Sequence, residues 1–234
     1  TLALSNHHVN AFANDAQNNL WIATDSGLSC FSNEKFINYH VKDGLPDEKI
    51  NSLIIDSKNI LWIGTDKGLC RFDPRTTKFF TYTITNDANS NIVSCLYIDY
   101  EENLWIGTNA GLFKYRGDPF ASFSQKDGLT STFVYQIARG KNNVLWVATN
   151  GGGMFAYKNN SFKNYTTKDG LPGNVINACI LDRDSTIWIG SDKGLSEVIS
   201  SGANVSFKNY SKRDGIISDS VTSILQDKNG MLWL

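Results

Sequence analysis

The chain has 234 residues, 41% of them hydrophobic and 19% charged, and this balance excludes wholesale disorder. A net charge of −1 leaves no basic footprint for nucleic acid and no polybasic patch for a membrane surface. The four cysteines, Cys30, Cys70, Cys95 and Cys179, stand singly inside apolar runs, so the sequence shows no zinc or redox motif. We therefore expect no metal and no cofactor.

A short phrase centred on tryptophan recurs six times. Its second copy reads Leu61-Trp62-Ile63-Gly64-Thr65, and successive tryptophans lie 41, 43, 41, 42 and 45 residues apart. A fixed period in this range is typical of stacked supersecondary units. The tryptophans are Trp21, Trp62, Trp105, Trp146, Trp188 and Trp233.

Each unit predicts four short strands in chain order. The first is an apolar run, and a polar turn joins it to the tryptophan strand. A turn ending in glycine, such as Asp66-Lys67-Gly68, precedes a third run, and the fourth carries paired aromatic residues such as Phe79 and Tyr82. The runs are rich in β-branched and aromatic residues and show no apolar stripe at helical spacing. Short turns between consecutive strands indicate a four-stranded antiparallel meander of about 42 residues.

An aspartate stands six residues before the tryptophan in five of the six units. These residues are Asp15, Asp56, Asp99, Asp182 and Asp227, and the fourth unit has Gly140 instead. An aspartate can bond its own backbone and start a turn, so we interpret this position as structural rather than as a metal or acid–base site.

The tryptophan strands are apolar on both faces, as the phrase Leu-Trp-Ile shows. A sheet with one solvated face would alternate apolar and polar residues. Sheets covered on both sides by copies of themselves explain the pattern, with the tryptophans buried between them. Radial packing of four-stranded sheets is a β-propeller, so the sequence predicts an all-β fold of this class.

The predicted blades can be counted from the strand pattern. Five and a half blades would leave an open edge, which soluble proteins avoid, so we expect the chain to be part of a longer, seven-bladed propeller. The complete blades are predicted at 9–40, 50–83, 92–123, 133–165 and 175–210, with a truncated blade from 221.

Two phrases carry a family resemblance. The run from Asp56 to Leu69, together with Asp-Gly-Leu-Pro at 43–46 and 169–172, resembles the two-component regulator propeller repeat. The resemblance implies the periplasmic sensor region of a hybrid two-component receptor, in which propellers precede a β-sandwich, a membrane helix and a histidine kinase. Many such receptors in gut Bacteroidetes respond to oligosaccharides. It further implies an oligosaccharide ligand and a homodimer formed through the full sensor region.

The first strand of a propeller blade usually lines the central channel, so polar residues near its start are candidates for ligand binding. In register, this position holds Asn10, Asn51, Tyr135 and Asn177, and Gln136 follows Tyr135. Amide and hydroxyl groups there could bond sugar hydroxyls while aromatic faces stack on sugar rings. The alternative is a solvated lining that binds no ligand.

Three functions are compatible with these observations. The first is a non-catalytic sensor that relays a periplasmic cue to a histidine kinase. The second is a scaffold that binds proteins or dimerises without a small ligand. A propeller lyase or hydrolase would need a unique cluster of catalytic residues, which the sequence lacks, since the three histidines (His7, His8, His40) form no motif with a nucleophile. We therefore do not expect this region to be an enzyme.

Overall fold

The structure is a computed structural model that describes residues 3–85, 91–117, 120–201 and 204–234. Contacts divide the chain into two compact units, residues 1–122 and 123–234. The first unit contains β1 (Val9–Asn14), β2 (Leu20–Thr24), β3 (Gly27–Ser32), β4 (Lys35–Tyr39), β5 (Ile50–Ile55), β6 (Leu61–Thr65), β7 (Gly68–Asp73), β8 (Lys78–Tyr82), β9 (Val93–Ile98), β10 (Leu104–Thr108) and β11 (Gly111–Tyr115). A short strand, β12 (Ala121–Phe123), follows at the boundary.

The second unit repeats the same succession. It contains β13 (Val134–Arg139), β14 (Leu145–Thr149), β15 (Met154–Lys158), β16 (Ser161–Tyr165), β17 (Ile176–Leu181), β18 (Ile187–Ser191), β19 (Gly194–Ser201), β20 (Asn204–Tyr210), β21 (Leu225–Gln226) and β22 (Leu232–Trp233). Between the strands, the described residues form only turns and short 3-10 segments, with no α-helix.

Consecutive strands pair in chain order. The described strands form five sheets of four strands and one sheet of two, β21–β22. All the pairings for which the register is defined are antiparallel, for example β5 with β6 and β6 with β7. The predicted four-stranded antiparallel meander is therefore confirmed, and we number the sheets first to sixth in chain order.

The glycine that ends the second turn of each unit is required by the backbone. Gly68 has φ +126°, and a Cβ atom there would lie 2.8 Å from the carbonyl oxygen of Tyr82 on β8. A side chain would therefore be strained by both the dihedral angle and the contact.

The Asp-Gly-Leu phrase closes a 3-10 turn at the end of a sheet. The Asp43 carboxylate accepts a hydrogen bond from the backbone N–H of His40 at 2.9 Å, and Gly44 follows with φ +122°. This is a capping box, in which the third residue of the turn returns to the residue before it. The same arrangement recurs at Asp127, Asp169 and Asp214.

Adjacent sheets within each unit pack through the tryptophans. In the first unit, Trp62 of β6 lies in one cluster with Leu104 and Ile106 of β10. In the second, Trp146 of β14 lies in one cluster with Ile187 of β18. The first strands of successive sheets also contact each other, β1 with β5, β5 with β9 and β13 with β17.

Burial of the tryptophans follows the prediction except in the sixth sheet. Trp21, Trp62, Trp105 and Trp146 are between 2% and 6% exposed, and Trp188 is partly buried. Trp233, which lies in the two-stranded sheet, is 58% exposed. The four cysteines are buried and free, as their apolar surroundings indicated.

Candidate functional site

The aspartate six residues before the tryptophan caps a turn and the indole together. Asp15 Oδ1 accepts hydrogen bonds from the backbone N–H groups of Gln17 (2.9 Å) and Asn19 (2.8 Å). Asp15 Oδ2 accepts one from Nε1–H of Trp21 at 3.0 Å. The predicted turn role is confirmed, and the fixed spacing of six residues was the signal for the indole bond. That bond measures 3.0 Å at Asp56, 2.8 Å at Asp99, 2.8 Å at Asp182 and 3.1 Å at Asp227.

These contacts lower the pKa of the capping carboxyl groups. Burial by itself would raise the pKa of Asp99, but hydrogen bonds from Trp105 and Asn103 and the charge of Lys114 outweigh it and hold the pKa below its ordinary value. The Lys114 ammonium lies 3.8 Å from Asp99 Oδ2. The pKa of Asp15 is likewise lowered, because its hydrogen bonds outweigh the opposing effect of burial.

We expect the free energy of unfolding to fall below about pH 4, because the folded protein binds fewer protons at Asp15 and Asp99 than the unfolded chain does. The stabilisation is complete above the ordinary pKa of 3.8 and is lost as the pH falls through the lowered pKa. Asp99→Asn should cost about 1.5 kcal/mol at neutral pH and flatten this pH dependence. Urea denaturation across the pH range measures both effects. Asp184→Asn, on an exposed turn, is the control, and equal slopes for the two variants would contradict the assignment.

Four of the five predicted first-strand residues occupy the extra position of a β-bulge, and the fifth, Gln136, pairs with Ala148. The register of β1 against β2 shifts between Val9 and Ala11, which leaves Asn10 between two paired residues. A bulge bends the strand and re-aims the side chain at that position. The equivalent shifts leave Asn51, Ser94, Tyr135 and Asn177 at the bulges of β5, β9, β13 and β17.

Three of the predicted amides fasten one sheet to the next. In the first unit, Asn10 Nδ2 donates to the carbonyl oxygen of Ile50 at 2.8 Å, and Asn51 Nδ2 donates to that of Val93 at 3.0 Å. Asn10 and Asn51 also donate to Asp25 and Asp66 of their own sheets. In the second unit, Asn177 Nδ2 donates to Val221 at 3.1 Å. These amides therefore have a structural role, and ligand binding by Asn10, Asn51 and Asn177 stays a prediction.

The fourth sheet departs from this pattern. Tyr135 takes the bulge position, and its ring centroid lies 5.1 Å from that of Phe133, edge to face. In this sheet the hydrogen bond to the next sheet is made by the following residue: Gln136 Oε1 accepts from the backbone N–H of Cys179 at 2.8 Å. Tyr135 is therefore the one predicted site residue without a hydrogen bond to the neighbouring sheet among the described residues.

The loops beside Tyr135 are uncharged, whereas those of the second sheet carry ion pairs. Lys49 lies 3.3 Å from Asp66, and Lys67 lies 3.3 Å from Asp47. The equivalent places in the fourth sheet are held by neutral residues, Phe133, Asn150, Gly151 and Ser131. These loops surround a depression of about 670 Å³, which we call the fourth-sheet rim: residues 130–133, 150–152, Asn164 and Thr166.

Asn164 gives the rim a buried acceptor. In the first and fifth sheets, a serine of the third strand donates to the asparagine at this place, as Ser29 does to Asn38 Oδ1 at 2.7 Å. In the fourth sheet, Phe155 pairs with Asn164 and offers no hydroxyl. Asn164 Oδ1 is buried and accepts no hydrogen bond within the described residues. A ligand hydroxyl donating to this oxygen would satisfy it.

Sequence reasoning identified Tyr135 and Gln136 but missed Phe133, Asn150 and Asn164. Two signals pointed to them: uncharged residues replace the lysine–aspartate pairs of the second sheet, and the glycine turn at 150–153 is one residue longer than in the other repeats. Both deviations occur in the repeat that also lost its capping aspartate.

The sheets, their strand order and their tryptophan interfaces are those of an all-β protein of the β-propeller class, of which this chain forms a part. The chain belongs to the two component regulator propeller family. The family's sequence model matches residues 3–26, 44–67, 87–110, 128–151, 170–193 and 215–234, more than half of the chain. The resemblance inferred from the residues is confirmed.

Solved structures share this fold at low identity. The extracellular domain of BT3049 from B. thetaiotaomicron, described as a hybrid two component system, superposes with a TM-score of 0.80 at 22% identity, covering 98% of this chain and 32% of that one. The extracellular domain of BT4673 from the same organism gives 0.62 at 20%, covering 97% and 38%. Virginiamycin B lyase from Staphylococcus aureus gives 0.75 at 13%, covering 97% and 76%. The chain thus spans about a third of the BT3049 domain.

Among proteins with curated descriptions, none matches the chain. In the described ranges, no helix is long and apolar enough to cross a bilayer. The same ranges contain no group of three or more histidine, cysteine, aspartate or glutamate residues placed to hold a metal ion.

Proposed function

We propose that the chain is a ligand-sensing propeller of a two-component receptor, placed in the periplasm and coupled to a histidine kinase. Membership of the regulator propeller family supports this proposal. The likeness of the fold to extracellular domains of B. thetaiotaomicron receptors also supports it. The single observation that favours ligand binding is the fourth-sheet rim, an open neutral depression at the place where the second sheet carries two ion pairs.

The chemistry of the rim favours an oligosaccharide. Neutral hydroxyl and amide groups bond sugar hydroxyls without a charge to desolvate, and aromatic rings pack against the apolar faces of pyranoses. Phe133 supplies an aromatic ring to the rim, and Tyr135 packs edge to face against that ring, while Asn164 supplies a buried acceptor. Gln136 of β13 and Asn177 of β17 do not line the rim; each bonds the backbone of the following sheet.

A non-catalytic role is supported by the state of the carboxylates. The aspartates that recur in the repeats are engaged in capping turns and indoles, as at Asp15 and Asp182. A glycosidase needs two carboxyl groups free to act as acid and as base or nucleophile across one bond. The capping aspartates lie one in each of the five sheets that have them, each bonded to a tryptophan, and are not paired in this way.

The proposal is tested by calorimetric titration of the complete sensor region with oligosaccharide pools. Phe133→Ala should weaken the binding of a responding pool about tenfold, because it removes the aromatic ring that lines the rim. Tyr100→Ala, at an exposed turn that follows β9, is the matched control and should leave the affinity unchanged. Silence of all pools, or equal loss in both variants, would count against an oligosaccharide sensor.

Signalling requires that the ligand bind two arrangements of the receptor with different affinities, because equal affinity shifts no equilibrium. The family resemblance implies a homodimer, and the two subunits of a homodimer can adopt two such arrangements. The second candidate, a scaffold that dimerises without a ligand, is favoured by exposed apolar residues on the outer strands, Ile37 of β4 (52% exposed) and Phe80 of β8 (48%). Light scattering across protein concentration, with and without the sugar, distinguishes the two.

A further inference from the structure

The tryptophan of the fourth sheet lacks the cap that the other five carry. Gly140 stands where the other repeats have an aspartate. Trp146 is only 5% exposed, yet its Nε1–H donates to no acceptor within the described residues. The other indoles bond an aspartate oxygen at 2.8 to 3.1 Å. The Trp146 nitrogen is not among the fully buried side-chain atoms that lack a partner, and Trp146 lines an open groove, so an acceptor from outside the chain can reach the indole.

A groove of about 400 Å³ lies beside this indole, between the fourth and fifth sheets. The cross-strand partner of Trp146 on β15 is Ala156. The second and third sheets have long side chains at the same place, Arg71 and Lys114. Ala156 lines the groove and leaves it unfilled, and Val198 of β19 supplies an apolar wall.

The charges of the groove are unbalanced. Lys141 and Lys158 line it, and neither ammonium has an ion-pair partner in the described part of the chain. Glu197 is the one acidic residue among the described lining residues. Its Oε2 accepts a hydrogen bond from the Tyr210 hydroxyl at 2.9 Å, and Lys208 lies close enough to interact with its charge. The two lysines therefore favour an anionic occupant.

We propose that this groove binds a small carboxylic acid with an apolar body. The ligand carboxylate accepts the Trp146 indole N–H, as Asp182 does for the tryptophan of the fifth sheet at 2.8 Å. Lys141 and Lys158 attract the negative charge, and the apolar body packs over Ala156. The ligand thus supplies from outside the group that the other repeats supply from their own chain. This site is separate from the fourth-sheet rim and does not depend on the sensing function proposed above.

Isothermal titration calorimetry of the intact protein tests the site with two probes of equal shape, 3-phenylpropanoate and its neutral amide, 3-phenylpropanamide. The acid should bind at least about tenfold more tightly, because its hydrogen bond to the indole is charge-assisted. Lys158→Ala should weaken binding of the acid, whereas Lys35→Ala, on the exposed face of β4, should not. Equal affinity for acid and amide, or no binding of the acid, would overturn the proposal.

Two further variants separate the groove from a non-specific effect. Ala156→Arg places in the groove the side chain that the second sheet carries there, and should abolish binding of the acid. Gly140→Asp restores the missing carboxylate; its Cβ overlaps the present position of Trp146 Nε1, so the ring must withdraw towards the arrangement of the other sheets. Thermal melting shows which variants are folded. Unchanged binding of the acid by either folded variant would also overturn the proposal.

Discussion

Replacing Trp62 with alanine is expected to lower the free energy of unfolding by about 3–5 kcal/mol. The side chain is 6% exposed, and its ring lies between two tyrosines, 5.9 Å from Tyr82 and 5.4 Å from Tyr115. Tyr115 belongs to the next sheet, so the substitution removes contacts within and between sheets. It also leaves Asp56 Oδ2 without the indole donor, 3.0 Å away. Urea denaturation followed by circular dichroism measures the loss.

Trp233→Ala is the matched control. Trp233 has the same bond to an aspartate, 3.1 Å from its Nε1 to Asp227, but is 58% exposed. The expected loss is therefore at most about 1 kcal/mol, the contribution of one exposed hydrogen bond and a partly buried ring. A similar loss in the two variants would show that packing between sheets is not the main contribution of the tryptophans.

Gly64→Val is expected to destabilise the protein by about 3 kcal/mol, through crowding rather than backbone strain. A Cβ at Gly64 would overlap Ser52 Oγ of the paired strand and lie 2.5 Å from Val93 Cγ1 of the next sheet. Two sheets approach each other closely at this point, and no flexible side chain is available to move aside. The same denaturation measurement gives the cost.

A graded series provides the control for crowding. Gly64→Ala adds one carbon, and alanine is the residue at the equivalent places of the first and fourth sheets, Ala23 and Ala148. The alanine variant should therefore lose less than the valine variant. Equal or smaller loss in the valine variant would mean that the second and third sheets can separate without cost, contrary to the close contact at Val93.

The strands and their order could be predicted because they depend on local sequence. Alternating turn and apolar runs, with a glycine such as Gly68 where φ is positive, specify each meander within about 40 residues. The repeated phrase around Trp62 then indicated sheets covered on both faces. Trp233 stands in the same phrase but is 58% exposed, because burial depends on a neighbouring sheet and not on the phrase itself.

The details of the candidate site could not be read from the sequence, because they depend on partners one repeat away. Asn10 was recognised as a polar residue at a strand start, but its acceptor is the carbonyl of Ile50. The bulge that directs it there is invisible in a pattern of period two. The buried oxygen of Asn164 follows from the pairing of β16 with β15, where Phe155 replaces a serine. The uncharged residues of the rim can be read from the sequence, but the sequence analysis did not single them out.

The bulge asparagines have a consequence for how such a chain can evolve. Asn10, Asn51 and Asn177 each bond a backbone carbonyl of the following repeat and not a side chain. Every residue has such a carbonyl, so the next repeat can drift in sequence, or be exchanged for another copy, and still offer the same acceptor. A duplicated repeat carries both the asparagine that donates to the next repeat and the backbone carbonyl that accepts from the previous one. Repeats joined in this manner can be gained or lost, and a single repeat can acquire residues for a new ligand, while the hydrogen bonds between sheets are kept.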